Sequence, residues 1–201
     1  MRKLIAVFLT IFLSNNLFAQ QEKEGIFLQP KVGINISNVR GGNSNTRTGL
    51  ALGLELEIKT ASFMGFSFAG IYSMQGDTDN GNIPGLGYVR MVEKVDYINF
   101  PVTANFYITK GLAIRFGIQP GINIYSAVYA ESGYQHVEYS MKKLGIEVDD
   151  FDLSLPMGVS YEAPFGMVFD ARYNLGIESI VNKTDLKNSV FQFTLGYKFE
   201  L

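Results

Sequence analysis

The stretch Val190 to Leu201 limits the possible folds more than any other part of the chain. Every second residue is apolar (Phe191, Phe193, Leu195, Tyr197, Phe199, Leu201), and Gln192, Thr194, Gly196, Lys198 and Glu200 lie between. A period of two gives a β-strand with one greasy and one polar face. A helix, stepping about 100° per residue, would scatter the same rings around its circumference.

Seven earlier stretches repeat the rhythm: Leu28–Ser37, Thr48–Ile58, Ser62–Met74, Asp96–Ile108, Leu112–Tyr125, Phe151–Glu162 and Gly166–Glu178. The third is the least regular, because Gly70 and Ile71 break its alternation. The connections alternate in length. Arg40–Thr46, Gln75–Glu93, Ala127–Asp150 and Ser179–Ser189 are polar and long, whereas Lys59–Ala61, Thr109–Gly111 and Ala163–Phe165 are tight turns. That is the pattern of an up-and-down barrel in an outer membrane, where turns are short on the periplasmic side and loops are longer outside. An even strand number then puts both ends of the fold on the short-turn side.

The charges follow the same division. Within the eight spans the apolar parity is read as free of charge, while the other parity carries Lys31, Glu55, Glu57, Arg115, Asp152, Glu162, Asp170, Arg172, Glu178, Lys198 and Glu200. A charge on the lipid face near mid-membrane costs about 2–4 kcal/mol, so excluding it is what a lipid-facing surface requires. Spans of this length also suffice to cross hydrocarbon, which takes about 9–11 tilted residues. Alternation alone would equally suit a soluble eight-stranded calyx with its greasy face inside. The polar parity argues against that reading, because it is rich in small residues such as Gly33, Gly53, Gly117, Gly158 and Gly176. Small side chains belong inside an eight-stranded barrel, whose interior is barely wide enough for side chains to fill it. The expected fold is therefore all-β, an eight-stranded antiparallel up-and-down transmembrane β-barrel.

The N-terminus fits this route. Arg2 and Lys3 precede the apolar run Leu4–Leu13, and Ala19 precedes Gln20, so residues 1–19 read as a cleaved signal peptide and residues 20–201 as one barrel domain. No cysteine is present, which excludes a disulfide framework, a thiolate metal site and a lipoprotein anchor. The chain has 17 basic and 19 acidic residues and no basic cluster, so no nucleic-acid partner is expected.

Four segments carry a family resemblance: KVGINIS (Lys31–Ser37), YINFPV (Tyr97–Val102), DARYNLGI (Asp170–Ile177) and LGYKF (Leu195–Phe199). In their order and spacing they resemble the PorT-like outer-membrane β-barrel family of Gram-negative bacteria. The resemblance implies an eight-stranded barrel in the cell envelope, with some members assisting a dedicated protein-secretion system, and it supplies no catalytic residues. One departure is the final Leu201 in place of an aromatic, with Phe199 two residues earlier on the same face.

Few residues suggest chemistry. His136, the one histidine, lies in the longest loop beside Glu138 and four residues after Ser132. A hydrolase or acyltransferase would need such a base oriented by a carboxylate and aimed at a hydroxyl, but a solvated loop histidine is the simpler reading. The run from Asp77 to Asn82 hints at a calcium loop, yet Gly81 stands where a ligand would fall, and a turn is preferred. Asp149, Asp150 and Asp152 read as a solvated rim rather than a divalent-ion site. No catalytic, cofactor or metal site is assigned.

The main candidate set is a lumen charge network of Lys31, Glu55, Glu57, Arg115, Asp170, Arg172, Lys198 and Glu200. Lys31 and Lys198 are expected to reach Glu55, Glu200 or Asp170, since buried charges must be paired or hydrated. A plugged lumen is favoured over an ion or proton path. Tyr72, Tyr107, Tyr125, Tyr161, Tyr173 and Tyr197 are candidates for interfacial aromatic belts. The leading functional reading is a non-enzymatic structural or accessory protein of the outer membrane, in contact with lipid and presenting Gln75–Glu93 and Ala127–Asp150 to envelope partners. A narrow channel or carrier is the alternative, and a membrane enzyme a more remote one.

Overall fold

In the computed structural model, residues 24–41, 45–83, 87–132, 135–181 and 184–201 are described. The predicted signal peptide lies outside them. Eleven strands follow in order: β1 (Gly25–Arg40), β2 (Asn45–Ala61), β3 (Met64–Ile83), β4 (Gly87–Asn99), β5 (Val102–Thr109), β6 (Leu112–Ser132), β7 (Gln135–Ser140), β8 (Phe151–Glu162), β9 (Met167–Gly176), β10 (Lys187–Tyr197) and β11 (Phe199–Glu200).

These strands make one closed antiparallel ring of eight staves. β4 and β5 are two halves of one stave, broken at Phe100 and Pro101 because proline has no N–H for the ladder. Neighbours bridge the gap, with Ala69 N–H donating to the Pro101 carbonyl at 3.0 Å and Phe100 N–H to that of Pro120 at 2.8 Å. The ring closes where β1 meets β10, through Val32↔Leu195, Ile34↔Phe193 and Ile36↔Phe191, and β11 extends that seam through Phe27↔Glu200.

The apolar parity faces out. Leu52 is 59% exposed and Phe193 44%, whereas Glu55 on the other parity is 1% exposed. This is the inverse of a ligand-binding calyx. Aromatic neighbours pack across the outer face, as in the Phe106–Phe116 stack with centroids 5.4 Å apart. Ile71 keeps to the inward parity, so the irregularity read at Gly70 and Ile71 is one of residue choice and not of geometry. Asp96 is the exception to the charge rule. It shares parity with Ile98 and Phe100 yet is buried, with the Tyr72 hydroxyl donating to its Oδ2 at 2.8 Å and Arg47 Nη1 3.7 Å from its Oδ1.

The small inward residues have two causes. At Gly121 a Cβ would lie 2.4 Å from Asn99 Oδ1, which is crowding by a lumen side chain, as expected. At Gly33 it would lie 1.9 Å from the Phe193 carbonyl oxygen. The glycine there makes room for the neighbouring strand's backbone at the closing seam.

Two expected loops are mostly strand. β3 and β4 continue as a paired ribbon from Gly76↔Lys94 to Ile83↔Gly87, so Asp77–Asn82 is neither a turn nor a calcium loop. β6 and β7 form a second ribbon, from Ala127↔Ser140 to Ser132↔Gln135. Along these ribbons polar residues replace the apolar alternation while the backbone ladder persists. Charge on the lipid belt tests this layout: Leu54→Arg, at the middle of the greasy face of β2, is expected to cost about 2–4 kcal/mol in denaturant unfolding from bilayers. An unchanged midpoint would mean that Leu54 does not face hydrocarbon.

Candidate functional site

The inward parity of four strands converges on one buried charge cluster. Lys31 comes from β1, Glu55 from β2, Arg115 from β6, and Asp170 and Arg172 from β9. Lys31 Nζ donates to Glu55 Oε2 at 2.7 Å and lies 3.6 Å from Asp170 Oδ2. Arg115 spans both carboxylates, with Nη2 donating to Glu55 Oε1 at 2.6 Å and Nη1 to Asp170 Oδ2 at 2.5 Å. Its Nε donates to Asn105 Oδ1 at 2.9 Å. Arg172 adds a fork onto Asp170, Nε to Oδ1 at 2.8 Å and Nη2 to Oδ2 at 3.1 Å. Paired, forked geometry of this kind is what allows such charges to sit out of water.

A second layer lies toward the short turns. Lys198 Nζ is 2.9 Å from Glu57 Oε2 and 2.6 Å from Glu162 Oε2. The Tyr107 hydroxyl also donates to Glu57, and Lys59 Nζ stands 4.1 Å from the centre of the Tyr107 ring. Tyr107 therefore belongs to the lumen and not to an interfacial belt. Lys59, read as part of a turn, is a buried lumen residue.

Seven of the eight predicted network residues thus occupy two inward layers. Glu200 is the exposed one: it has the inward parity and stands on β11, in register with Phe27 of β1. Lys31 reaches Glu55 and Asp170 as expected, whereas Lys198 is claimed by Glu57 and Glu162. The sequence reading missed Lys59 and the partnership of Tyr107 with Glu57, although both follow from continuing the alternation of β2 and β5 by one or two residues.

Toward the long connections, the lumen is filled by amides and hydroxyls. Asn35 Nδ2 donates to Ser73 Oγ at 3.0 Å, Gln192 Nε2 to Asn35 Oδ1 at 2.9 Å, and Gln119 Nε2 to Ser154 Oγ at 3.0 Å. Asp152 is buried here and accepts from Asn188 Nδ2 at 3.2 Å, so it is a lumen residue and not part of a solvated rim. Above it a short 3-10 helix, Met141–Leu144, lays Met141 on Val95 and Tyr97, with Val128 and Val148 alongside. The third and fourth long connections are tied together by the Val148↔Val181 bridge and by Asp149 N–H donating to the Ile180 carbonyl at 2.8 Å.

The residues considered for catalysis do not form a described triad. His136 is on β7 opposite Glu131, and the side chains of Ser132 and His136 lie outside the described residues. Glu138 accepts from the Tyr125 hydroxyl and, at 2.9 Å, from Lys94 Nζ, and these donors hold its carboxyl below the usual range. Among the described residues, no group of three or more histidines and carboxylates is placed to hold a metal ion.

A model of the outer membrane protein β-barrel domain matches residues 5–199. The chain belongs to that family. Its fold is similar to that of Neisserial surface protein A, at 13% identity over 87% of this chain and 97% of that one, with a TM-score of 0.50. Ail of Yersinia pestis aligns at 16% identity over 87% and 99%, TM-score 0.49, and the outer membrane protein W of E. coli at 14% over 89% and 100%, TM-score 0.42. No curated protein matches the chain. As an outer-membrane barrel, it carries its charge cluster in a ring surrounded by lipid. Arg115→Met, which strips both Glu55 and Asp170 of a partner, is expected to cost about 3–5 kcal/mol in unfolding experiments. Glu200→Gln should change stability by less than about 0.5 kcal/mol.

Proposed function

We propose that this outer-membrane barrel is a non-enzymatic anchor that holds two rigid β-ribbons outside the cell as a recognition surface for envelope partners. The supporting observation is the contrast between its two halves. The interior is occupied by two ion-paired layers and a polar layer, with Met141 packed over its mouth. The ribbons β3–β4 and β6–β7 meanwhile extend the wall beyond the greasy belt and are joined along Arg90↔Glu131 to Lys94↔Ala127. A wall that outreaches its membrane while its lumen is filled is suited to presentation more than to passage. Loops positioned by a rigid scaffold are where recognition resides.

Orientation follows from the same asymmetry: the short turns and both ends of the barrel face the periplasm, and the ribbons face out. Within the family, the four motifs beginning at Lys31, Tyr97, Asp170 and Leu195 support a PorT-like member, and with it a place beside a protein-secretion system.

Two measurements test this reading. In planar bilayers the purified barrel should give no steady openings, and regular conductance that changes in Asp170→Asn would instead favour a channel. Affinity isolation from outer membranes should recover specific envelope proteins with the full chain, and lose them when the ribbon residues 77–91 are replaced by a two-residue turn. Equal recovery by both forms would remove the ribbons from any recognition role.

A further inference from the structure

The two ribbons join into one four-stranded sheet, in the order β3-β4-β6-β7. Unlike the ring it grows from, this sheet has two edges. Pairing of β2 with β3 ends at Asn45↔Thr78, which leaves residues 79–83 as one edge. β7 pairs with β6 and with no other strand, which makes Gln135–Ser140 the other. In an antiparallel pair every second residue turns its N–H and carbonyl away from its neighbour, so an edge strand shows a row of unused donors and acceptors.

The two edges differ. On β3 the Asn80 N–H donates to Asp79 Oδ1 at 2.8 Å, so that edge carries a charged side chain folded onto its own backbone. Charge of this kind blunts an edge against further pairing. On β7 no hydrogen bond among the described residues reaches the outer edge. Val137 and Tyr139 stand 43% and 52% exposed on one face of it, opposite Ala130 and Val128 of β6. Glu138, on the other face, is already engaged by Tyr125 and Lys94. An open edge with apolar residues at alternate positions is a template for one more strand.

We propose that the free edge of β7 takes up an extended segment of an envelope protein as an added antiparallel strand, with apolar side chains of that segment resting on Val137 and Tyr139. This names the partner chemistry of the recognition surface proposed above, and it rests on that reading. The edge itself selects the occupant, because N–H and carbonyl groups alternating at strand spacing are matched by another extended backbone. A second copy of this chain does not fit. Copies in one membrane all run β7 toward the membrane, so two β7 edges cannot meet antiparallel. The edge that runs the opposite way, on β3, is the capped one. The incoming segment therefore runs outward, as β6 does. Main-chain hydrogen bonds hold it, and its apolar residues at alternate positions give the selectivity.

The test uses the full-length barrel in detergent micelles. Its probe is a fluorescein-labelled peptide with the sequence of residues 125–132, the stretch of β6 whose alternation already matches β7. Fluorescence anisotropy should show saturable binding. Of two versions of the peptide N-methylated on alternate amides, one should lose binding and the other keep it, because only one edge of an added strand faces β7. Val137→Lys combined with Tyr139→Lys should weaken binding about tenfold or more. Both side chains are exposed, so the double variant keeps its packing. Asn80→Lys, on the capped edge, should leave binding unchanged. Absence of saturable binding, equal binding of both methylated peptides, or an unchanged affinity in the double variant would each overturn the proposal. None of these results would touch the broader reading of the ribbons, whose own test removes residues 77–91 and leaves β7 in place.

Discussion

Inside hydrocarbon no water is available to satisfy a backbone N–H or carbonyl, so a sheet that crosses a membrane has to close on itself. The β1–β10 seam is where this chain meets that requirement. Its ladder runs from Lys31↔Gly196 to Arg40↔Lys187 and joins residues from opposite ends of the sequence. The same requirement explains how the wall tolerates Pro101. The stave breaks, but the Pro120 carbonyl takes up the Phe100 amide and the Pro101 carbonyl accepts from Ala69 N–H. At Gly33 the seam admits only a hydrogen as side chain, because the Phe193 carbonyl passes too close for a Cβ.

Closure creates the interior problem that the charges address. An eight-stranded ring leaves space for side chains and little else. Filling that space with apolar groups on both faces of every strand would remove the alternation that directs one face to lipid. Polar and charged groups inside keep the two faces distinct. Once buried, each must find a partner, and Arg115 does so by bridging Glu55 and Asp170 from across the lumen. Such a network is weak evidence for net stability, since desolvation offsets much of the attraction. Its clearer consequence is obstruction, because three cationic side chains and two carboxylates occupy the centre of the ring. Met141 and the linked third and fourth connections lie at the end of the long connections.

Much of the charge network was legible beforehand. Alternation assigned Lys31, Glu55, Glu57, Arg115, Asp170, Arg172 and Lys198 to the interior, and all seven lie there. Errors arose at the edges of the spans, where the environment changes and parity loses its meaning. Glu200 has the right parity but is exposed on the two-residue β11. Asp96 has the apolar parity but sits at a span's end, where Tyr72 and Arg47 accommodate it. Asp77–Asn82 resembled a turn because its residues favour turns, yet a ribbon in water pairs through its backbone whatever its side chains.

The sequence by itself determined that the chain makes strands, that eight of them cross the lipid, and which face of each is greasy. These are local properties, set by which of two directions a side chain takes. Tertiary structure alone decided which charges meet, because partners depend on the stagger with which the ring closes. Lys31 and Asp170 are far apart in the chain, and neither strand's pattern says which residue stands across the lumen. Only the closed ring brings three cations around two carboxylates and leaves Arg172 with an unused donor.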